Sequence, residues 1–225
     1  ATTERMCPFF RVDPSEHAGP RAKANAIRGL GSSLLDAQDL VSQGMQQLAD
    51  LCFNCKQCQL ECPAHVNVPQ MMIEAKAARV ATDGLGRANW FLSRGHLLST
   101  LGSLVPRASN WLLTQPAFRW TLDRTLGIHR QRKLPQLARR PFLRTLRRSW
   151  TQRPRPGMTP RPVVYFVDHF ANYHDPELAM CLVRVLEHNQ VAVHVPRDQR
   201  PSGMAMISMG DLASARDLAE HNLRE

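Results

Sequence analysis

A multidomain α+β fold is predicted for this 225-residue chain by three observations. Helical apolar spacing dominates the first two thirds. A proline-dense stretch, SWTQRPRPGMTPRP from Ser149, then interrupts it. Beyond it, two short apolar runs, VVYFV and VAVHV, bracket one more helical pattern. The periodicity thus changes once, from helices to a strand–helix–strand unit.

Residues 1–33 are rich in Gly, Pro and charge and are expected to be irregular. A helix is expected from Ser33 to Leu51, where Leu34, Leu35, Leu40, Val41, Met45, Leu48 and Leu51 recur at helical spacing. A cysteine-rich run follows at once. Pro69 suits the first turn of a helix over PQMMIEAKAARVAT. GRANWFLSRGHLLSTLGSL reads as a third helical region, ending before Pro106. Shorter helical pieces carrying Trp111, Phe118 and Trp120 then lead into a basic belt.

The proline-dense stretch marks the main boundary. The expected organisation is a helical domain over 1–85, a helical basic connector over 86–150, a linker over 151–162 and an incomplete α/β domain over 163–225. VVYFV (163–167) is a continuous apolar run, as expected of a strand buried on both faces. Asp175-Pro176 offers an N-cap followed by proline at the first helical position. Leu178, Cys181, Leu182, Val185 and Leu186 then form one helical face ending near Asn189, which assigns Cys181 to the core. VAVHV (191–195) supplies the second strand of a right-handed parallel βαβ unit.

Composition narrows the function classes. The hydrophobic fraction of 43% is ordinary for a protein with a packed core. There is no run of eighteen apolar residues, so no membrane-spanning helix is expected. The opening ATTERMCPFF lacks a signal-peptide pattern. The closing ASARDLAEHNLRE stops within an amphipathic helical pattern, so a fragment of a longer polypeptide is expected. Net charge is +10, but Arg119 to Arg161 holds 13 Lys/Arg against one acid, Asp123, leaving the rest with 16 bases and 18 acids. Such a belt suits an anionic partner or a solvated face. With few interleaved aromatics (Trp120, Phe142, Trp150) and no DNA-binding pattern, nucleic acid is the lesser expectation.

Four of the six cysteines fall in CFNCKQCQLECP. A disulfide framework fits badly, because cysteines two or three residues apart make strained bridges. Zinc knuckles need two ligand pairs separated by a dozen or more residues, and a redox CxxC needs only two thiols. Cys52-x2-Cys55-x2-Cys58-x3-Cys62-Pro63 instead matches the bacterial iron–sulfur run. Two-residue spacers let a tight loop aim three thiolates at one [4Fe–4S] cube, while Cys62 points toward another cluster. One or two clusters are therefore expected. The first cube then lacks a ligand, for which Cys7-Pro8 is the candidate, the alternative being a free buried thiol. A second cube would need three cysteines upstream of Ala1. His169 and His174, after the first strand, are the best of a weak set of other polar candidates. No catalytic residue is assigned.

RMCPFFRVDPSEHAGPRAKANAIRG, followed by LADLCFNCKQCQLECPAHVNVPQM, resembles the iron–sulfur half of FAD-linked oxidases. RKLPQLARRPFLR and VVYFVDHFANYHDPELAMCLVRVLEHNQVAVHVP resemble that family's passage into a heterodisulfide-reductase-like cysteine-rich domain. The resemblance implies a helical ferredoxin-like domain and an oxidoreductase component that relays electrons from FAD. That FAD would sit on a domain or subunit outside this chain and oxidise a 2-hydroxy acid such as D-lactate, glycolate or D-2-hydroxyglutarate. The implied partners are the flavin-binding domain and a quinone or other acceptor. A cytoplasmic setting is expected, with peripheral docking at the inner membrane face through Arg119–Arg161. The family's Cys-Cys-Gly signature is replaced by Pro201-Ser202-Gly203, so thiol chemistry in that half is not carried over. The alternative is a nucleic-acid- or partner-binding protein whose cluster is only structural.

Overall fold

The computed structural model describes residues 7–146, 163–196 and 198–224. The expected linker over 151–162, and with it the proline-dense boundary, lies outside the described residues. The chain forms two compact units, Ala1–Gly86 with Met204–Ala215, and Arg87–Gly203 with Arg216–Glu225.

In the first unit a short helix, α1 (Pro8–Val12), precedes α2 (Pro20–Gly31). The expectation of an irregular first 33 residues is thus corrected. Ala22, Ala24, Ala26 and Ile27 favour a helix strongly enough to override Gly29 and Gly31, and Pro20 sits harmlessly in the first turn. The single helix expected over 33–51 is also corrected. Ser33 takes a left-handed φ of 59°, and Asp36 and Asp39 form a reciprocal capping box over a 3-10 turn, Ala37–Val41. The regular helix α3 (Gln43–Asp50) starts only after Ser42, whose hydroxyl accepts the Met45 N–H. Helix α4 is one turn (Gln57–Leu60). Helix α5 (Val68–Asp83) matches the expected PQMMIEAKAARVAT segment, with Asn67 capping Gln70 N–H and Pro69 in the first turn. Met45, Ala49, Val68, Met72 and Ala75 make the core, against which Ile27, Leu30, Leu48, Cys52 and Cys58 pack.

In the second unit, the expected third helix is two, α6 (Arg87–Ser93) and α7 (Gly95–Gly102). Helices α8 (Pro106–Thr114) and α9 (Pro116–Leu126) each begin with proline. Gly127, at φ 64°, ends α9 in the left-handed conformation. After α10 (Phe142–Leu146) come β1 (Val163–Val164), α11 (His169–Tyr173), α12 (Pro176–His188) and β2 (Val193–His194). The strands pair in parallel, Val163 with Val193 and Val164 with His194, as the strand–helix–strand grammar requires. Asp175 caps α12 by accepting the Leu178 N–H, and Asn189 closes it, as expected. Phe142, Leu146, Val167, Ala171, Ala179, Val183 and Val193 form the core.

Two expectations fail here. The first strand is not buried on both faces, since Val163 and Val164 are 47% and 61% exposed. Among the described residues the sheet has only two strands, so no neighbour covers the outer face. Cys181 is exposed rather than in the core. The buried stripe of α12 runs through Ala179 and Val183, which rotates Leu178, Cys181, Leu182 and Val185 outward. The helices α13 (Met204–Ser208) and α14 (Leu212–Arg224) complete the order.

Candidate metal centre

The cysteine loop is shaped by left-handed residues. Asn54 and Lys56 have φ of 60° and 61° without being glycine, an uncommon conformation for side-chain-bearing residues. Lys56, left-handed, leads straight into the right-handed turn at Gln57, the pairing of conformations from which anion-holding nests are built. Lys56 leads directly into α4, which carries Cys58. Behind the loop, the Lys76 ammonium donates to the Cys52 carbonyl at 2.8 Å. The segment bearing Cys7 is brought alongside by Phe9, whose ring lies 5.4 Å from that of Phe53.

Cys7, Cys52, Cys55 and Cys58 line one cavity of about 20 Å³, with Phe9, Phe53, Lys23 and Lys56 among its walls. Cys62 is not among them; its carbonyl instead accepts the His65 N–H at 3.0 Å. Burial raises the Cys58 thiol pKa, and the nearby Cys52, Cys55 and Cys7 raise it further. Like-charged neighbours oppose ionisation until a cation offsets them. Among the described residues, no three His, Cys, Asp or Glu side chains are already set to hold a metal ion. The fit is therefore one of donor chemistry: four thiols among apolar side chains and two lysines suit an iron–sulfur cluster and not a hard cation.

Two groups went unread in the sequence. Lys23 and Lys76 are 2% and 7% exposed. Their signal was position: Lys23 lies four residues before Ile27, and Lys76 four after Met72 and four before Val80, each within an apolar stripe where lysine is out of place.

The second unit holds a separate cavity of about 330 Å³, lined by His96, Thr100, His169, Asn172, Tyr173 and Arg200 among others. His169 opens α11 just beyond β1, where Asp168 caps the helix by accepting the Phe170 and Ala171 N–H groups. Its Nε2 lies 3.2 Å from Ser99 Oγ, and its buried Nδ1 has no partner among the described residues. Burial first, then His174 and His96, push its pKa down to about 4 against the opposing pull of Asp168. Thr100 donates to the His96 carbonyl, so the Tyr173 hydroxyl 2.7 Å away must donate to Thr100. The His174 ring lies 5.4 Å from that of His169, but its Nδ1 bonds the Gln136 carbonyl and it does not line this cavity.

Residues 2–66 match a family described as a 4Fe-4S dicluster domain. A component of the fumarate reductase (CoM/CoB) of Methanothermobacter marburgensis is 24% identical over 221 residues, 97% of this chain and 36% of that protein. The chain thus spans about a third of that relative's length. No solved structure matches the chain significantly. Among the described residues no helix is long and apolar enough to cross a membrane. The five clustered or neighbouring cysteines, the domain match and the relative from a reductase together support an iron–sulfur electron-transfer protein.

Proposed function

We propose that this chain is the electron-relay portion of a flavin-linked oxidoreductase, with Cys7, Cys52, Cys55 and Cys58 as ligands of one [4Fe–4S] cluster. Cys62 is assigned to a second cluster, completed by three thiols that are not among the six cysteines of this sequence. The observation that carries the reading is the sharing of one cavity by the first four thiols and not by Cys62. That division is what the x2–x2–x3 spacing demands of a two-cluster protein.

When bound, the cluster supplies reversible one-electron storage. The chain supplies its setting. The four thiols would hold it, the left-handed residues Asn54 and Lys56 shape the loop around it, and Phe9 and Phe53 form part of its wall. FAD on another domain or subunit is the proposed donor, and a quinone or second carrier the proposed acceptor. The resemblance to FAD-linked oxidases favours a 2-hydroxy acid as ultimate substrate, whereas the relative is named for fumarate reduction. The expanded protein should therefore be offered D-lactate, glycolate and, with a reductant, fumarate. The described part of the basic belt, Arg119 to Arg144, is proposed to dock on anionic lipid at the cytoplasmic face.

The decisive experiment is anaerobic reconstitution followed by iron, sulfide and zinc assays and EPR-monitored potentiometry. Iron with acid-labile sulfide and a reversible one-electron couple is expected. Zinc without sulfide would sink the reading. A redox-silent cluster combined with tight, salt-sensitive DNA binding would replace it with the structural-cluster alternative.

A further inference from the structure

Lys23 on α2 and Lys76 on α5 are the most deeply buried charged side chains of the described residues. Among those residues neither forms an ion pair. Lys23 Nζ donates to the Ala18 carbonyl at 2.8 Å. Lys76 Nζ donates to the Cys52 carbonyl at 2.8 Å and the Ser208 carbonyl at 3.1 Å. Backbone carbonyls satisfy ammonium protons but leave its net charge uncompensated, and an uncompensated buried charge is costly. Burial pushes the Lys76 pKa down, Asp50 and Cys52 pull it back up, and Lys23 opposes them; Asp50 forms no ion pair with it among the described residues and accepts from Gln46 instead.

Both lysines flank the same place. Lys23 lines the cavity of Cys7, Cys52, Cys55 and Cys58, and Lys76 grips the backbone of Cys52 from behind. Four protonated thiols would leave Lys23 without a counter-charge and Lys76 with only the Asp50 carboxylate, which forms no ion pair with it among the described residues. Four thiolates around an iron–sulfur core carry net negative charge and would compensate them. We infer that Lys23 and Lys76 are built-in counter-charges of an anionic centre in this cavity, and that they raise its reduction potential. The inference rests on the iron–sulfur reading above.

The direction follows from charge. One electron, delivered by the flavin donor or by dithionite in the test, makes the centre more negative by one unit. A fixed buried cation stabilises that reduced form more than the oxidised one, because little solvent screens it. Lys56 lines the same cavity but is exposed, so salt should screen its influence.

The test uses the full chain, reconstituted anaerobically, in wild-type, Lys23→Met, Lys76→Met, Lys23→Arg, Lys76→Arg and Lys56→Met forms. Midpoint potentials are measured by EPR at low and high ionic strength. Each buried Lys→Met variant is expected to weaken reduction about tenfold or more, which for a one-electron couple is about 59 mV more negative. The shift should persist in high salt, while that of Lys56→Met should be smaller and vanish there. The Arg variants should stay near wild type. A Met variant that loses its cluster while the Arg variant keeps it supports the role of charge. Loss in both, or intact clusters with unmoved potentials, overturns the inference and leaves the electron-relay reading standing. Zinc without sulfide in the wild type removes both.

Discussion

The two cavities give buried nitrogen different partners. Around the cysteines, two lysines are sunk below the surface with only carbonyl partners. In the other unit, His169 is kept neutral by burial and by neighbouring imidazoles. A histidine escapes the cost of burial by releasing its proton near neutral pH, whereas lysine, starting about four pH units higher, resists neutralisation. Burial lowers the pKa of Lys76 as it does that of His169, but the lysine has much further to fall before it loses its proton; a site lined by such side chains is suited to negative charge, and one with a neutral imidazole to polar contact.

That contrast can be broken most severely at the thiols. Cys52→Ser, Cys55→Ser or Cys58→Ser should abolish the first cluster, read as loss of its visible absorption and EPR signal. Cys62→Ser should leave it in place, and equal damage from Cys62→Ser would erase the proposed division of ligands. Next in size is Gly210→Ala. A methyl there would stand 2.6 Å from the Lys76 carbonyl carbon and 2.8 Å from Ala77 N, at a φ of 83°. Several kcal/mol of destabilisation, about 3 or more, is expected in denaturant melts. Met72→Ala, in the core beside the cysteine loop, should cost about 2–5 kcal/mol.

The histidine side of the contrast gives a smaller, pH-dependent effect. A base with its folded pKa near 4 instead of 6.5 binds fewer protons folded than unfolded between those values. Stability should therefore be full above about pH 6.5 and fall as the pH drops toward 4. Discounted for partial exposure, this amounts to on the order of 1–2 kcal/mol, and His169→Gln should flatten that part of the profile. A slope of the opposite sign would refute the neutral imidazole. Smallest is the cap of α12: Asp175→Ala should cost about 1 kcal/mol, with no effect on any cluster signal.

Much of this was legible in the chain. The proline-opened α5, the Asp-Pro start of α12 and the parallel strand pair each appear where expected, and the cysteine spacing falls within the 4Fe-4S dicluster-domain match over residues 2–66. The misses share a cause: the sequence states periodicity but not which stripe finds a partner. Leu178, Cys181, Leu182 and Val185 make a respectable apolar face, yet Ala179 and Val183 are the residues packed inward, because small side chains let α12 approach its neighbours closely. Ser33 looked helical by apolar spacing alone, whereas Asp36 and Asp39 offered the backbone a competing turn. The buried lysines were hidden by their own residue type, which composition counts as surface.

The ammonium of Lys76 is shared between Cys52 and Ser208, a carbonyl 132 positions further along the chain than the lysine itself. Anyone trimming this polypeptide to isolate its redox portion would naturally stop near residue 86, after the last turn of α5. Such a cut would strip one acceptor from the lysine and bare the α5 surface on which Gly210 rests. The minimal working piece must therefore be assembled from two stretches of chain, with Met204–Ala215 supplied in trans or spliced on.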